Sequence, residues 1–111
     1  MTKDDYYVIV YRLLRYLYDC LKKGQKPSIE VLDADYFSID ASYWTYIIVN
    51  LSEGGYISGA PTFYSIGTTD KQVKISANIK ITPEGIKYLE ENSVFQKIKN
   101  AVKDISDILP I

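Results

Sequence analysis

The sequence predicts an α+β domain in which three helical segments are followed by a β-hairpin and by further helices. Two patterns carry this prediction. Apolar residues repeat with helical spacing over residues 4–23 and 40–53, and they alternate with polar residues over 73–81. The 111 residues suffice for one hydrophobic core. We therefore expect one domain over residues 1–92, followed by an amphipathic helix over 93–111 that packs on the domain or on a dimer partner.

The longest predicted helix covers residues 4–23. With successive residues placed about 100° apart, its apolar side chains fill an arc of about 200°, wider than the stripe of an ordinary surface helix. Such a helix has to be contacted from two sides, so we expect it at the centre of the core. Arg12, Arg15 and Asp19 fall on the opposite, polar side. Gly24 is expected to end the helix.

Two further helical segments are predicted before the hairpin. Pro27-Ser28-Ile29-Glu30 has the composition of a helix start, which indicates a short helix to about residue 32 and then a turn over 33–38. The third helix is predicted over residues 40–53. Its inward face carries Trp44, Ile47, Ile48 and Leu51. The pair Gly54-Gly55 ends it.

Strand signals follow the third helix. Residues 56–58 predict a short strand, and residues 62–66 and 73–81 predict a hairpin with its loop over 67–72. Thr82-Pro83-Glu84 then supplies the hydroxyl, proline and carboxylate that are typical of a helix start. That helix is expected to direct Ile86 and Leu89 inward and to end near Asn92.

The last predicted helix, over residues 94–108, has apolar residues spaced three and four apart. This seam consists of Phe95, Ile98, Val102, Ile105 and Leu109. A helix of this length is marginal on its own in water, so the seam has to dock somewhere. Two places remain open, the first helix of the same chain and a second copy. The protein is accordingly expected to be a monomer or a homodimer.

The order of these elements is that of a winged helix-turn-helix domain. Residues 51–57, Leu-Ser-Glu-Gly-Gly-Tyr-Ile, resemble the end of a recognition helix that turns into the first wing strand, and residues 81–89 resemble the junction after the wing. With the extension over 90–93 and the amphipathic helix behind it, the chain resembles the YjcQ-like family of small bacterial and prophage-associated proteins. The resemblance implies a winged helix-turn-helix fold and a prophage or mobile-element origin. It carries over no catalytic residues, because that family has no settled activity.

The composition argues against catalysis. The absence of histidine removes the usual general base and the commonest transition-metal ligand, and the single cysteine, Cys20, falls in the apolar arc of the first helix. The acidic residues Asp33, Asp35 and Asp40 lack the central glycine and the closing glutamate of a calcium loop. We therefore expect no enzyme, no cofactor and no metal site.

The charge and hydropathy of the sequence indicate where in the cell the protein is expected. The acidic residues Asp4 and Asp5 stand where a secretory signal would be basic, and no run reaches the roughly 18 apolar residues of a membrane span. A lone cysteine fits a reducing environment. We expect a cytoplasmic protein with no membrane partner.

The expected binding surface is the flank of the third helix that its core residues leave free, together with the hairpin. The residues predicted to contact a partner are Ser42, Thr45, Tyr46, Val49, Asn50, Lys71 and Lys74. On double-stranded DNA, Asn50 would pair with an adenine edge and the lysines would neutralise phosphates. Residues 38–60, however, contain two acidic and no basic residues. The sequence thus predicts a DNA-binding regulator, with a protein–protein adaptor as the alternative.

Overall fold

The computed structural model describes residues 2–91, which form three α-helices and two small antiparallel sheets. The helices are α1 (Tyr6–Lys22), α2 (Ala41–Glu53) and α3 (Pro83–Glu91). The strands are β1 (Ile57–Ser58), β2 (Thr62–Tyr64), β3 (Lys71–Val73) and β4 (Lys80–Ile81). The predicted α+β class is confirmed, and the arrangement is compatible with a winged-helix-like domain. The helix and seam predicted over 93–111 lie outside the described residues.

Helix α1 lies at the centre of the core, as its wide apolar arc predicted. Ile9, Leu13 and Leu14 have no exposed surface. The helix packs against both α3 and β4. Burying one such side chain is worth about 1.5–3 kcal/mol, so α1 contributes much of the hydrophobic stabilisation of the domain.

The prediction that Arg12 lies on a polar surface is wrong. Its side chain is buried, and the guanidinium carbon lies 4.7 Å from the centre of the Phe37 ring. Burial lowers the pKa of Arg12. The reason is that Phe37, from the segment between α1 and α2, covers part of the side of α1 that the helical pattern left polar.

The short helix predicted after Pro27 is also wrong, because this segment forms hydrogen-bonded turns. The backbone N–H of Leu32 donates to the carbonyl of Ile29, and that of Ile39 donates to the carbonyl of Ala34. A single helical turn is costly to nucleate, whereas serine and aspartate side chains favour turns. The first turn is held by the Tyr16 hydroxyl, which accepts a hydrogen bond from Ser28 N at 2.7 Å.

Helix α2 begins after Asp40, whose carboxylate accepts hydrogen bonds from both the backbone N–H and the hydroxyl of Ser42. This contact satisfies one of the free N–H groups at the start of a helix. The predicted inward face is confirmed by the burial of Trp44, Ile47, Ile48 and Leu51. The Trp44 ring stacks on that of Phe37 with 5.2 Å between ring centres.

The four strands make one antiparallel ribbon in two parts. β1 pairs with β4, and β2 pairs with β3 nearer the tip. Between the two ladders, residues 59–61 on the outgoing side face residues 74–79 on the return side, which is therefore three residues longer. The prediction of one continuous strand over 73–81 is therefore wrong, because residues 74–79 lie between the two ladders and interrupt it. The extra residues form a turn in which Ser76 accepts hydrogen bonds from the backbone of Asn78 and Ile79.

Helix α3 starts where Thr82-Pro83-Glu84 predicted. The Thr82 hydroxyl accepts a hydrogen bond from Gly85 N at 3.1 Å and donates one to the Gly55 carbonyl at 2.6 Å. Leu89 is buried against the core. Among the helices of residues 2–91, none combines the length and the apolar character that crossing a membrane requires.

Candidate partner-binding groove

A groove of about 490 Å³ lies between α2 and the residues at the start of β3. Six of the predicted contact residues line it, namely Ser42, Thr45, Tyr46, Val49, Asn50 and Lys71. We call it the α2–β3 groove. The structure therefore brings most of the predicted residues together, although they come from two elements about twenty residues apart in the chain. Lys74 is exposed on the return side of the ribbon, outside the groove.

The groove residues differ in how far they are available to a partner. Tyr46 is 61 % exposed, whereas Val49 is only 7 % exposed and belongs to the floor of the groove. The rings of Tyr6 and Tyr46 meet in a T-shaped arrangement, with 6.3 Å between ring centres. Tyr46 is therefore held from the N-terminal end of α1 and still presents most of its surface outward.

The charge of Lys71 is already used within the chain. Its ammonium donates a hydrogen bond to the carboxylate of Glu53, at the end of α2, and lies 5.6 Å from the centre of the Tyr64 ring. The hydrogen bond with Glu53 raises the pKa of Lys71. Because its nearest neighbour is an anion, Lys71 adds little positive potential to the groove.

The amide of Asn50 is also engaged. Its side-chain nitrogen donates to the Tyr46 carbonyl one turn earlier, at 2.8 Å. Pairing with an adenine edge requires both the amide nitrogen and the amide oxygen of an asparagine. Asn50 would have to give up the bond to its own helix to make such a pair.

Two carboxylates bring negative charge to the groove or to its margin, and one of them, Asp40, is among the two acidic residues counted over 38–60. Asp70 and Gln72 line the groove beside Lys71. Asp40 stands at the end of α2 where Ser42 lines the groove, and hydrogen bonds from Ser42 lower its pKa. Asp70 was not among the predicted contact residues, although its neighbour Lys71 was. Among residues 2–91, no three histidine, cysteine, aspartate or glutamate side chains are grouped to hold a metal ion.

Other tyrosines have mainly structural roles. The Tyr43 hydroxyl donates to the Asp4 carbonyl at 2.7 Å, and Tyr43 packs against the core. Of Tyr16, Tyr43 and Tyr46, Tyr46 is the one that is largely exposed.

The fold and the groove define a class, a small α+β domain of winged-helix-like arrangement with a groove between its second helix and its ribbon. The chain matches the family model described as YjcQ protein over residues 11–108, and it belongs to the YjcQ family. The family resemblance inferred from the sequence is thereby confirmed. No curated protein and no solved structure matches the chain.

Proposed function

We propose that this protein is a winged-helix-like binding module that holds a segment of another protein in the α2–β3 groove. The observation that carries the proposal is the ion pair between Lys71 and Glu53. This ion pair neutralises the charge of Lys71 on a surface where the side chains of Tyr46 and Tyr64 are exposed. A surface of this kind suits a polypeptide better than a polyanion.

The groove can make both apolar contacts and hydrogen bonds with a polypeptide, as protein interfaces do. Val49 provides an apolar floor and Tyr46 an exposed aromatic side chain. Tyrosine is enriched in protein interfaces because its ring is apolar and its hydroxyl polar. Around them, the hydroxyls of Ser42 and Thr45 and the amide of Gln72 can exchange hydrogen bonds with a peptide backbone.

The charge of the groove indicates which peptides it prefers. Asp70 lines the groove, and Asp40, whose carboxylate contacts the groove residue Ser42, precedes the N-terminal end of α2. Hydrogen bonds from Ser42 lower the pKa of Asp40, and its carboxylate is ionised at neutral pH as that of any exposed aspartate is. A bound segment with a lysine or arginine beside an apolar residue therefore matches the groove in charge.

Selection from a displayed random-peptide library tests this proposal. Peptides enriched on the native protein should contain a basic residue next to an aromatic or aliphatic one. Their affinity should fall about tenfold or more for Tyr46→Ala, because exposed tyrosines are frequent binding hot spots. Tyr36→Ala is the matched control, since Tyr36 is 40 % exposed outside the groove, and it should bind the same peptides unchanged. Selected peptides that bind Tyr46→Ala and native protein equally would contradict the proposal.

Double-stranded DNA is the second candidate, as expected for a DNA-binding regulator of winged helix-turn-helix fold. It is supported by the placement of α2 beside a ribbon on which Lys74 and Lys80 are exposed. A titration with duplex DNA at two salt concentrations distinguishes the candidates. Salt-dependent binding that Lys74→Ala weakens and Tyr46→Ala leaves intact would favour DNA over a peptide.

A further inference from the structure

Within residues 2–91, no strand pairs with the outer edge of β2, and the side chains along this segment are apolar and exposed. Phe63 is 48 % exposed, Tyr64 60 % and Ile66 105 %. No charged residue occurs between Ile57 and Thr69. Proteins ordinarily protect such an edge with lysine, with proline or with a covering segment, because an open edge is a template for another strand.

The register of the ribbon shows which backbone groups face outward. The N–H of Lys74 donates to the carbonyl of Pro61 at 3.0 Å, which continues the β2–β3 register by one pair. Hydrogen-bonded and non-hydrogen-bonded pairs alternate in an antiparallel ladder. Phe63 and Gln72 are therefore the next hydrogen-bonded pair, and the backbone groups of Thr62 and Tyr64 point away from β3. The contact of Lys71 with the ring of Tyr64, directly opposite, fits this assignment.

Pro61 does not protect this edge. It belongs to a pair whose backbone groups face β3, so its missing N–H faces inward. The outward donors of Thr62 and Tyr64 are unaffected by it. Within residues 2–91, β2 has β3 as its strand neighbour on one side and no strand on the other.

We propose that β2 pairs with β2 of a second copy of this chain, antiparallel and about a two-fold axis through Phe63. In this register, each of the three residues of β2 lies opposite a residue of β2 in the second copy. Thr62 exchanges both backbone hydrogen bonds with Tyr64 of the second copy, and Tyr64 does the same with Thr62. The two Phe63 side chains meet at the axis in a non-hydrogen-bonded pair, where side chains approach most closely.

A second copy is the occupant because the edge is complementary to itself. The segment from Ile57 to Thr69 is uncharged, so two copies meet without like-charge repulsion. The contact is isologous and closes as a dimer. It also extends a two-stranded hairpin to four strands, and isolated two-stranded hairpins are marginally stable. This interface is separate from the α2–β3 groove and does not depend on its function.

Sedimentation of the full chain with charged variants tests the dimer. The native protein should associate as its concentration rises to about 0.5 mM. A contact between two three-residue strands is small, and small interfaces are usually weak. Phe63→Lys and Phe63→Glu should each weaken association about tenfold or more, because like charges meet at the axis. An equal mixture of the two variants should associate again. Ile29→Lys, at a position 60 % exposed and outside the ribbon, is the matched control and should behave as native.

Cysteine substitution tests the register. Phe63→Cys should form a disulfide-linked dimer under mild oxidation, because the two Cβ atoms face each other across the axis. Tyr64→Cys should form the intermolecular disulfide at least about tenfold more slowly than Phe63→Cys, since the residue opposite Tyr64 across the axis is Thr62. The native Cys20 is buried and serves as the background. A native protein that stays monomeric throughout, association that survives Phe63→Lys, or equal cross-linking of both cysteine variants would each overturn the proposal.

Discussion

The ammonium of Lys71 on β3 donates a hydrogen bond to the carboxylate of Glu53 in the last turn of α2. This pair joins the ribbon to the helix, and its lysine lines the α2–β3 groove. It therefore couples the position of the ribbon to the charge of the groove. Replacing either residue should change the affinity of the groove for charged ligands more than the stability of the fold, since exposed ion pairs contribute little to stability.

Glu53→Gln should increase the affinity of the protein for a non-specific DNA duplex at low salt by roughly fivefold, because the released Lys71 can neutralise one more phosphate. Fluorescence titration with a labelled duplex measures this effect. Glu30→Gln makes the same charge change at an exposed position in the turns after α1 and should change the affinity less. Equal effects of both substitutions would show that net charge, and not the Lys71–Glu53 pair, controls the attraction.

Gly59→Ala should destabilise the protein by about 2–4 kcal/mol, within the range of severe backbone and packing effects. Gly59 has a φ of +78°, and a methyl group there would overlap the carbonyl of Asn78 on the opposite side of the ribbon. Urea denaturation measures the loss. Gly67→Ala is the control, because Gly67 has a φ of +83° but open space around it. It should cost about 1 kcal/mol, and a similar loss for both would contradict the role of the Asn78 contact.

Arg12→Ala should destabilise the protein by about 1–3 kcal/mol, because it removes both the buried side chain and its contact with the Phe37 ring. Arg15→Ala is matched in size and charge, but the Arg15 side chain is 38 % exposed and pairs with Asp19 in one turn of α1. The destabilisation by Arg15→Ala should be smaller, because Asp19 keeps Lys22 as a second ion-pair partner at 3.5 Å. Thermal denaturation compares the two, and an equal effect would show that the Phe37 contact adds nothing.

The stability of the protein should fall between about pH 10 and pH 12, and Tyr88→Phe should make this decline shallower. Burial raises the pKa of Tyr88 from 10.0 to about 12. In this range the unfolded chain loses the Tyr88 proton and the folded chain keeps it, so rising pH favours unfolding. Denaturation at a series of alkaline pH values measures the effect. Tyr64→Phe makes the same change at an exposed position and is the control.

Long periodic segments allowed the fold to be predicted from the sequence. The helical spacing in residues 4–23 and 40–53 predicted α1 and α2 to within two residues at each end. The failures came where a local pattern competes with contacts from elsewhere in the chain. The alternation over 73–81 gives no sign of the turn at Ser76, since more exposed and less exposed positions still alternate from 77 to 81. Arg12 was misplaced because the periodicity of α1 carries no information about Phe37.

The groove was predicted in part, because the free flank of a helix follows from its buried face. Ser42, Thr45, Tyr46 and Asn50 were found in this way. Burial of Val49 and the pairing of Lys71 with Glu53 depend on how the ribbon lies against α2. Sequence periodicity contains no such distance, so neither feature could be predicted, whereas the charge count over residues 38–60 did indicate an acidic helix. Whether residues 95–109 form the predicted seam stays a prediction.

The unequal lengths of the two sides of the ribbon have a consequence for sequence variation. Residues 74–79 span the gap that residues 59–61 span on the other side. The longer side can gain or lose a residue within its turn without shifting either ladder, whereas the shorter side is constrained by Gly59. Length differences among relatives should therefore concentrate between Lys74 and Ile79, while the spacing from Ile57 to Tyr64 stays constant.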